Sequence, residues 1–592
     1  MEPARPRTDR RRPRRGSADR PVDTRLLRNL WLVVALPLLL LLATVARTGP
    51  YPATTLPASF DRATAVALTR TLALEHADRV PGSAGAEKAA AWFVDSIHQY
   101  GLGVEEDVWH ESVPTLGNVT LRNLAVVIPG SQEQVILVVA HRDNIAGTAG
   151  ANDNASGTAA LIELARSFAT VGSGDAEPRR PLHTIVLLSS DAGDYGGRGV
   201  LRFARRSPLR GRIGAAIVLD GIAGTQPRLE VGGLGQTSPT LALVRTLSAR
   251  VAEATSRDVE RPSVIRQLVT LATPFATGEQ AVLLGEGIPA VRLTTTADAR
   301  PRPGADEVEG INPLRLGQLG AGVDRTLTAL DAAVELPRTT SSLIFIGNRA
   351  IRGWALEIVL LAATLPFFAA MIDLAVRCRR RGIPLRPAWE ALRRRLLAWL
   401  ASGLALLAAA VLGVFPTGSA LPPTPYDPPA QRWAAVTVVA ALVVIAAVWL
   451  SAPRNRAREA TDEERLAGWA VALLGLGVVA AIAVAVSPLA LLVLLPSLYA
   501  WLLVPHAPGD RGWLTDALFG LGFAGPAIVV ASLALQLDLG LKAPVFVLQL
   551  VTAGTIPFLG TLATIGWVAV ATHIGSLLAG SYVPPDDQSS RR

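Results

Sequence analysis

Four short segments carry the residues that could do chemistry. His141-Arg-Asp143 follows the apolar run Gln134–Ala140. Asp153 comes twelve residues after His141, inside Gly150-Ala-Asn-Asp153-Asn-Ala-Ser-Gly157, where a helical pattern begins. Ser190-Asp191-Ala-Gly193-Asp194 follows the run Thr184–Leu188, and Asp220-Gly221 follows Ala215–Leu219. Zinc takes imidazole nitrogen and carboxylate oxygen readily. An aspartate two residues from a ligand histidine can orient the ring and fix its tautomer. Each segment alone has a plainer reading: a solvated His–Asp pair, an aspartate capping a helix, or an ordinary strand exit. Together, at four successive strand ends, they point to a metal site.

The elements around these segments alternate between helix-like and strand-like patterns. Helices are expected at Ala63–Glu75, Gly85–Tyr100, Ser156–Thr170, Thr240–Ala254 and Pro313–Val334. Short apolar, β-branched runs lie between them at Leu124–Ile128, Gln134–Ala140, Thr184–Leu188, Ala215–Leu219 and Ala290–Thr294. Such alternation predicts an α/β fold, a mainly parallel mixed sheet with helices on both faces. Sites in such sheets form beyond the carboxyl ends of the strands, where the polar segments fall.

Residues 60 to 335 resemble the di-zinc aminopeptidase family, the M28-type metallopeptidases, which also contains glutamate carboxypeptidases and glutaminyl cyclases. The resemblance rests on Arg79-Val-Pro-Gly-Ser83, His141-x-Asp143, Gly150-Ala-Asn-Asp153, Asp220 and Gly287-Ile-Pro-Ala-Val291. It implies His141 and Asp220 as ligands of one metal, Asp153 as the bridging carboxylate and Asp143 behind His141. It further implies Asp194 as a ligand of a second metal.

Two family positions are substituted. Where the family has two consecutive acidic residues, the first of them the general base, this chain has Gly193 and Asp194. Glycine cannot take a proton, and loss of a positioned base typically costs about 10²–10⁴-fold in rate. The family's late histidine ligand aligns with Arg302, in Arg302-Pro-Gly-Ala-Asp306. Arginine stays protonated and does not bind zinc. Its guanidinium is expected to supply positive charge in place of a second zinc, pairing with Asp194 or Asp153. The acid–histidine pair before Gly287 reads Glu279-Gln280, and Asp191 and Glu279 are the conceivable substitute bases. On this reading one zinc is favoured over two, an empty site remains open, and Gly193→Glu with Arg302→His should restore some hydrolysis.

Composition places this domain on a membrane protein. Half of the 592 residues are hydrophobic and mean hydropathy is +0.36. Net charge is +9, carried almost wholly by Arg clustered beside apolar runs. The positive-inside rule explains that clustering, so nucleic acid is not the expected partner. The lone Cys378 excludes an internal disulfide. The expected order is a basic, disordered cytoplasmic tail (1–29), a signal-anchor helix (30–47), the α/β ectodomain (50–345), a seven-helix transmembrane domain (350–580) and a cytoplasmic tail (581–592). The spans after the anchor are expected near 354–376, 394–415, 432–452, 466–485, 488–506, 514–537 and 548–575. The basic segments Arg10–Arg15, Arg377–Arg395 and Arg454–Arg465 then share one side, while Pro416–Gln431 carries no Lys or Arg. Both termini are then cytoplasmic and the ectodomain faces outward, in a multi-pass protein of the cell membrane.

By resemblance, the function is that of a membrane-bound zinc metallopeptidase of aminopeptidase type, with weak or lost hydrolysis. The competing class is a silent peptide- or protein-binding module on a membrane scaffold. A transporter with a regulatory ectodomain is disfavoured by the few intramembrane charges, Glu357, Asp373, Asp516 and His573. The expected partners are a peptide or protein on the outer face and membrane lipid. Asn118-Val-Thr and Asn154-Ala-Ser are glycosylation sequons by pattern.

Overall fold

The computed structural model describes residues 23–54, 58–114, 116–169, 179–273, 275–296, 304–337, 340–414, 433–451, 460–506 and 512–580. Seven strands form one sheet: β1 (Glu105–Val113), β2 (Gly117–Ile128), β3 (Gln132–His141), β4 (His183–Ser190), β5 (Ile213–Asp220), β6 (Arg228–Glu230) and β7 (Ala290–Thr294). Their order is β1-β2-β4-β3-β5-β7-β6. The central strands β4, β3, β5 and β7 are mutually parallel, and β1, β2 and β6 pair antiparallel to their neighbours.

The central strands read as unbroken apolar runs because both faces are covered. Ile136, Val138 and Ala140 of β3 join a core shared with α2 (Arg62–Glu75), α3 (Ala84–His98), α4 (Gly157–Arg166), α6 (Leu241–Thr255) and α9 (Pro313–Asp331). Val135, Leu137 and Val139 face the other core, with α5 (Arg198–Arg206) and α8 (Glu279–Gly285). Side-chain caps fix several helix starts: Asp61, Ser83, Thr240 and Asn312 accept from backbone N–H groups of the first turns. Strand β1 was not expected. Its sequence Glu-Glu-Asp-Val-Trp-His-Glu carries no apolar run, and it lies exposed at the sheet edge against β2.

Among the described residues, seven helices are long and apolar enough to cross a membrane, or eight if Gly512–Leu521 and Ala524–Gln536, bent by 54°, form one span. The first, α1, runs Thr24–Ala43, earlier than the expected 30–47, because Asp23 caps it and admits Arg25 and Arg28 to its first turns. The last expected span, 548–575, is two helices, Ala543–Thr552 and Phe558–Leu578, parted at Gly554 (φ +79°) and Pro557. The leader 1–22, the loop 415–432 with Pro416–Gln431, the segment with Arg454, Arg456 and Arg458, and the tail 581–592 lie outside the described residues. Arg395 is not a loop residue. It lies within α11 (Arg386–Val411), buried, donating to Ser576 Oγ at 2.6 Å beside His573. Cys378 is buried in the packing of α10 (Gly353–Arg380).

The domain and the bundle touch through α7 (Val264–Ala272), the strip that follows it and the turn Leu234–Gln236. Phe275 meets Phe546 edge-on with centroids 5.5 Å apart, and Ser487 Oγ donates to Gln236 Oε1 at 2.7 Å.

Candidate metal centre

The carboxyl ends of the parallel strands bring three of the expected ligands to one point. His141 ends β3, Asp220 ends β5, and Asp153 sits in the irregular turn Ala151–Ser156 before α4. His141 Nε2 lies 3.3 Å from Asp153 Oδ1 and 3.7 Å from Asp220 Oδ1. Zinc bonds of about 2.0–2.2 Å in a tetrahedron give ligand–ligand edges of about 3.3–3.6 Å, so this donor set fits zinc. Asp153 Oδ1, Asp220 Oδ1 and Asp194 Oδ2 are buried and accept no hydrogen bond. Orphaned carboxylate oxygens around one imidazole are what a bound cation would satisfy.

The electrostatics of the cluster agree. Burial pushes the Asp153 carboxyl up to about 6, with Asp220 beside it adding to the rise. Burial, then the charge of Asp153, raises Asp194 well above the usual range. Burial alone would lower His141, but Asp194, Asp143, Asp153 and Asp220 together raise it well above an ordinary imidazole. Raised carboxyls and a raised imidazole at one point mark a place where a cation would displace protons.

Neighbouring side chains hold the ligand loops. Asp143 Oδ1 accepts from Gly193 N at 2.8 Å and Oδ2 from Asp194 N at 3.2 Å. Its contact with His141 Nδ1 is looser: the main-chain carbonyl lies at 3.2 Å and Oδ1 at 3.5 Å. Asp306 accepts from Asn152 N and Asp153 N, both at 2.8 Å, and so sets the Asp153 turn. Asn154 Nδ2 donates to Leu219 O at 2.7 Å while its Oδ1 accepts from Gly157 N and Gly221 N, tying that turn to Asp220. Fully buried and so engaged, Asn154 is no glycan acceptor in this fold. Arg79 donates to the carbonyls of Leu72, His76, Arg142, Ala149 and Gly150, and clamps the loop after His141. Sequence reasoning quoted Arg79 and Asp306 without these roles. Neither role had a local signal, because both residues stand among exposed neighbours in the sequence and act on distant loops.

The second expected site is not assembled in the same way. Asp194 falls in a group with His141 and Asp143, separate from Asp153 and Asp220. Both Asp143 oxygens already accept backbone hydrogen bonds. Gln280, where the family has histidine, turns its amide to Thr277 O. Arg302 lies outside the described residues. The guanidinium found beside the cluster is that of Arg292, whose Nη1 donates to Asp220 Oδ2 at 2.8 Å. Burial would raise Asp220, but Arg292 and His141 hold it well below the usual carboxylate range. Sequence reasoning missed Arg292; a charge inside the buried strand Ala-Val-Arg-Leu-Thr was the clue.

Gly193 is where the alignment put the missing base, and the structure shows it is more than a lost side chain. A Cβ there would lie 2.3 Å from His141 Cβ and 2.4 Å from Cγ. The Gly193 backbone occupies the space flanking the ring. The expected rescue by Gly193→Glu is therefore sterically blocked unless the loop moves.

Residues 123–312 match the model described as Peptidase family M28. That match lies wholly within the sheet domain. Over 100 residues the chain is 37% identical to the probable glutamate carboxypeptidase AMP1 of Arabidopsis thaliana, covering 17% of this chain and 13% of that protein. The chain thus spans only 13% of the length of that curated relative. Among solved structures it is similar to a zinc aminopeptidase from Bacillus subtilis, at 14% identity, with 50% of this chain and 100% of that one covered and a TM-score of 0.39. It is also similar to Porphyromonas gingivalis glutaminyl cyclase, at 17% identity, covering 45% and 98%, with a TM-score of 0.36.

In this domain the two conceivable substitute bases part company. Asp191 is tied down behind the site: Oδ2 accepts from Arg122 N at 2.8 Å, Oδ1 from Ala192 N at 2.9 Å, and Arg142 lies 3.8 Å away. Glu279 is different. It accepts from Ser190 Oγ, and Ser190 is the cross-strand partner of His141. Its other oxygen is buried without a hydrogen bond.

Burial pushes the Glu279 carboxyl from 4.5 up to about 7, against the lowering charge of His141. Because its folded value is the higher one, its stabilising contribution is complete below pH 4.5 and is lost as the pH rises through about 7. In zinc-free protein, Glu279→Gln should change little at pH 4.5 and stabilise by about 3 kcal/mol at pH 8. Thermal unfolding after chelation reads this difference; equal shifts at both pH values would refute it.

Proposed function

We propose that this is a membrane-embedded protein whose M28 domain stands on the outer face, holds one zinc through His141, Asp153 and Asp220, and hydrolyses peptides weakly or not at all. The observation that carries the reading is Gly193: the base position offers no side chain, and its backbone packs on the ligand His141. Zinc there would supply Lewis-acid polarisation of a carbonyl oxygen. His141 would have to give up its proton to bind the ion, so affinity should rise with pH. Asp143 and Asp306 hold the ligand loops, and Arg292 fixes one oxygen of Asp220 so that the other points into the cluster.

The apolar helices support membrane embedding, and the Arg clusters beside them support cytoplasmic termini. The proposed partner is a peptide or protein outside the membrane, bound at the zinc and released slowly or intact. A second reading is favoured by Glu279 alone: slow aminopeptidase action with its carboxylate as proton acceptor.

Aminoacyl-anilide turnover by the purified full-length chain, with zinc supplied, tests both. Turnover at least about 10²-fold below an ordinary enzyme is expected from the missing base. Robust turnover would overturn the proposal, and slow turnover abolished by Glu279→Gln would select the second reading.

A further inference from the structure

We propose that a cavity between the C-terminal helices and the underside of the M28 domain is a binding site for one acyl chain of a bilayer phospholipid. The cavity measures about 480 Å³. Ala483, Val493, Val530 and Ala563, from four different helices, help form its wall. Trp567 also lines it, stacked on Trp501 at 5.7 Å with its N–H donated to Ser497 Oγ. Among the described residues, no charged side chain or histidine lines it. Polar groups gather where the domain closes it, at Gln236, Thr273 and the Ser487 hydroxyl that donates to Gln236.

The cavity is half open to the surroundings of the helices, so on the membrane reading its apolar walls face lipid. Ordered water needs two to four polar partners each, which these apolar walls do not offer. Ligand pockets span about 300–1,000 Å³, so the volume suits one flexible chain. The site lies at the Val486 end of Asp462–Val486, far from Arg465 at the other end of that helix. On the proposed topology that is the outer leaflet, where the available apolar ligand is a lipid tail. An ester carbonyl at the top of such a tail would accept from the Gln236 amide N–H groups, since the Gln236 oxygen accepts from Ser487 and the Thr273 hydroxyl is donated to Val269 O. Thr273 also begins the strip that leads to Glu279, so a bound chain would touch the segment that carries that carboxylate.

This inference rests on the membrane reading, and the test separates the two. The full-length chain is reconstituted in phosphatidylethanolamine–phosphatidylglycerol vesicles containing a phospholipid with a diazirine in one acyl chain, irradiated and mapped by mass spectrometry. Labels are expected on the cavity wall around 483–494, 526–530 and 560–567, and also at outward residues such as Leu404 and Leu442. Ala563→Phe should remove at least nine-tenths of the cavity label and leave the outward label unchanged. If that variant misfolds, Val530→Trp fills the cavity from another helix. Outward label without cavity label, or cavity label indifferent to both variants, overturns the acyl site alone. Label nowhere on the C-terminal helices overturns the membrane reading and the acyl site with it.

Discussion

Gly193→Ala should lower zinc affinity by at least about 10–100-fold, the range seen when the supports of a metal ligand are disturbed. The added methyl would sit 2.3 Å from His141 Cβ and 2.9 Å from Cδ2. The loop cannot retreat freely, because Gly193 N and Asp194 N both donate to Asp143. Something must give: the ring turns, or those hydrogen bonds break and Asp143 loses its hold on the loop. Overpacking of this kind costs about 1–3 kcal/mol in stability as well. Zinc competition against a chromophoric chelator measures the affinity. A variant that binds within two-fold of the native chain would show that Gly193 does not brace His141.

Arg292→Met should be the most destabilising change in the site. Arg292 and Asp220 form a buried pair, with side chains 7% and 11% exposed. Removing one partner of such a pair costs about 3–5 kcal/mol because the other charge is left stranded. In the metal-free protein at neutral pH this should lower the unfolding temperature by at least about 6 °C. The sign with pH follows from Asp220, whose carboxyl Arg292 holds low. That stability is present above the carboxylate's unfolded value of about 3.9 and is lost as the pH falls below it. The gap between native and variant should therefore close in acid. Added zinc should recover part of the loss, since it replaces the missing positive charge. A shift under about 1 °C at pH 7, where several degrees are expected, would contradict the pairing.

The sequence made the central strands legible because four of them are apolar runs ending in polar residues, and β7 runs over the same residues as expected, Ala290–Thr294. His141, Asp153 and Asp220 were legible for the same reason: each stands at the carboxyl end of a buried strand, or in the turn beside it. What stayed hidden depends on contacts between distant segments. Strand β1 is charged and lies at an edge, so periodicity could not find it. Asp306 reaches the Asp153 turn across more than 150 residues of chain. Arg292 looked like a misplaced charge until Asp220 was found beside it. Gly193 read as a plain deletion of a base, although its missing side chain is also a packing requirement set by the His141 ring.

Zinc counted per chain in the full-length protein, by elemental analysis after dialysis against a weak chelator, addresses the centre most directly. One zinc is the expected result, falling to background in Asp153→Asn, because Asp153 Oδ1 is one of the two oxygens set within 3.7 Å of His141 Nε2. Two tightly held zincs, or one that survives loss of Asp153, would contradict a single site built on His141, Asp153 and Asp220.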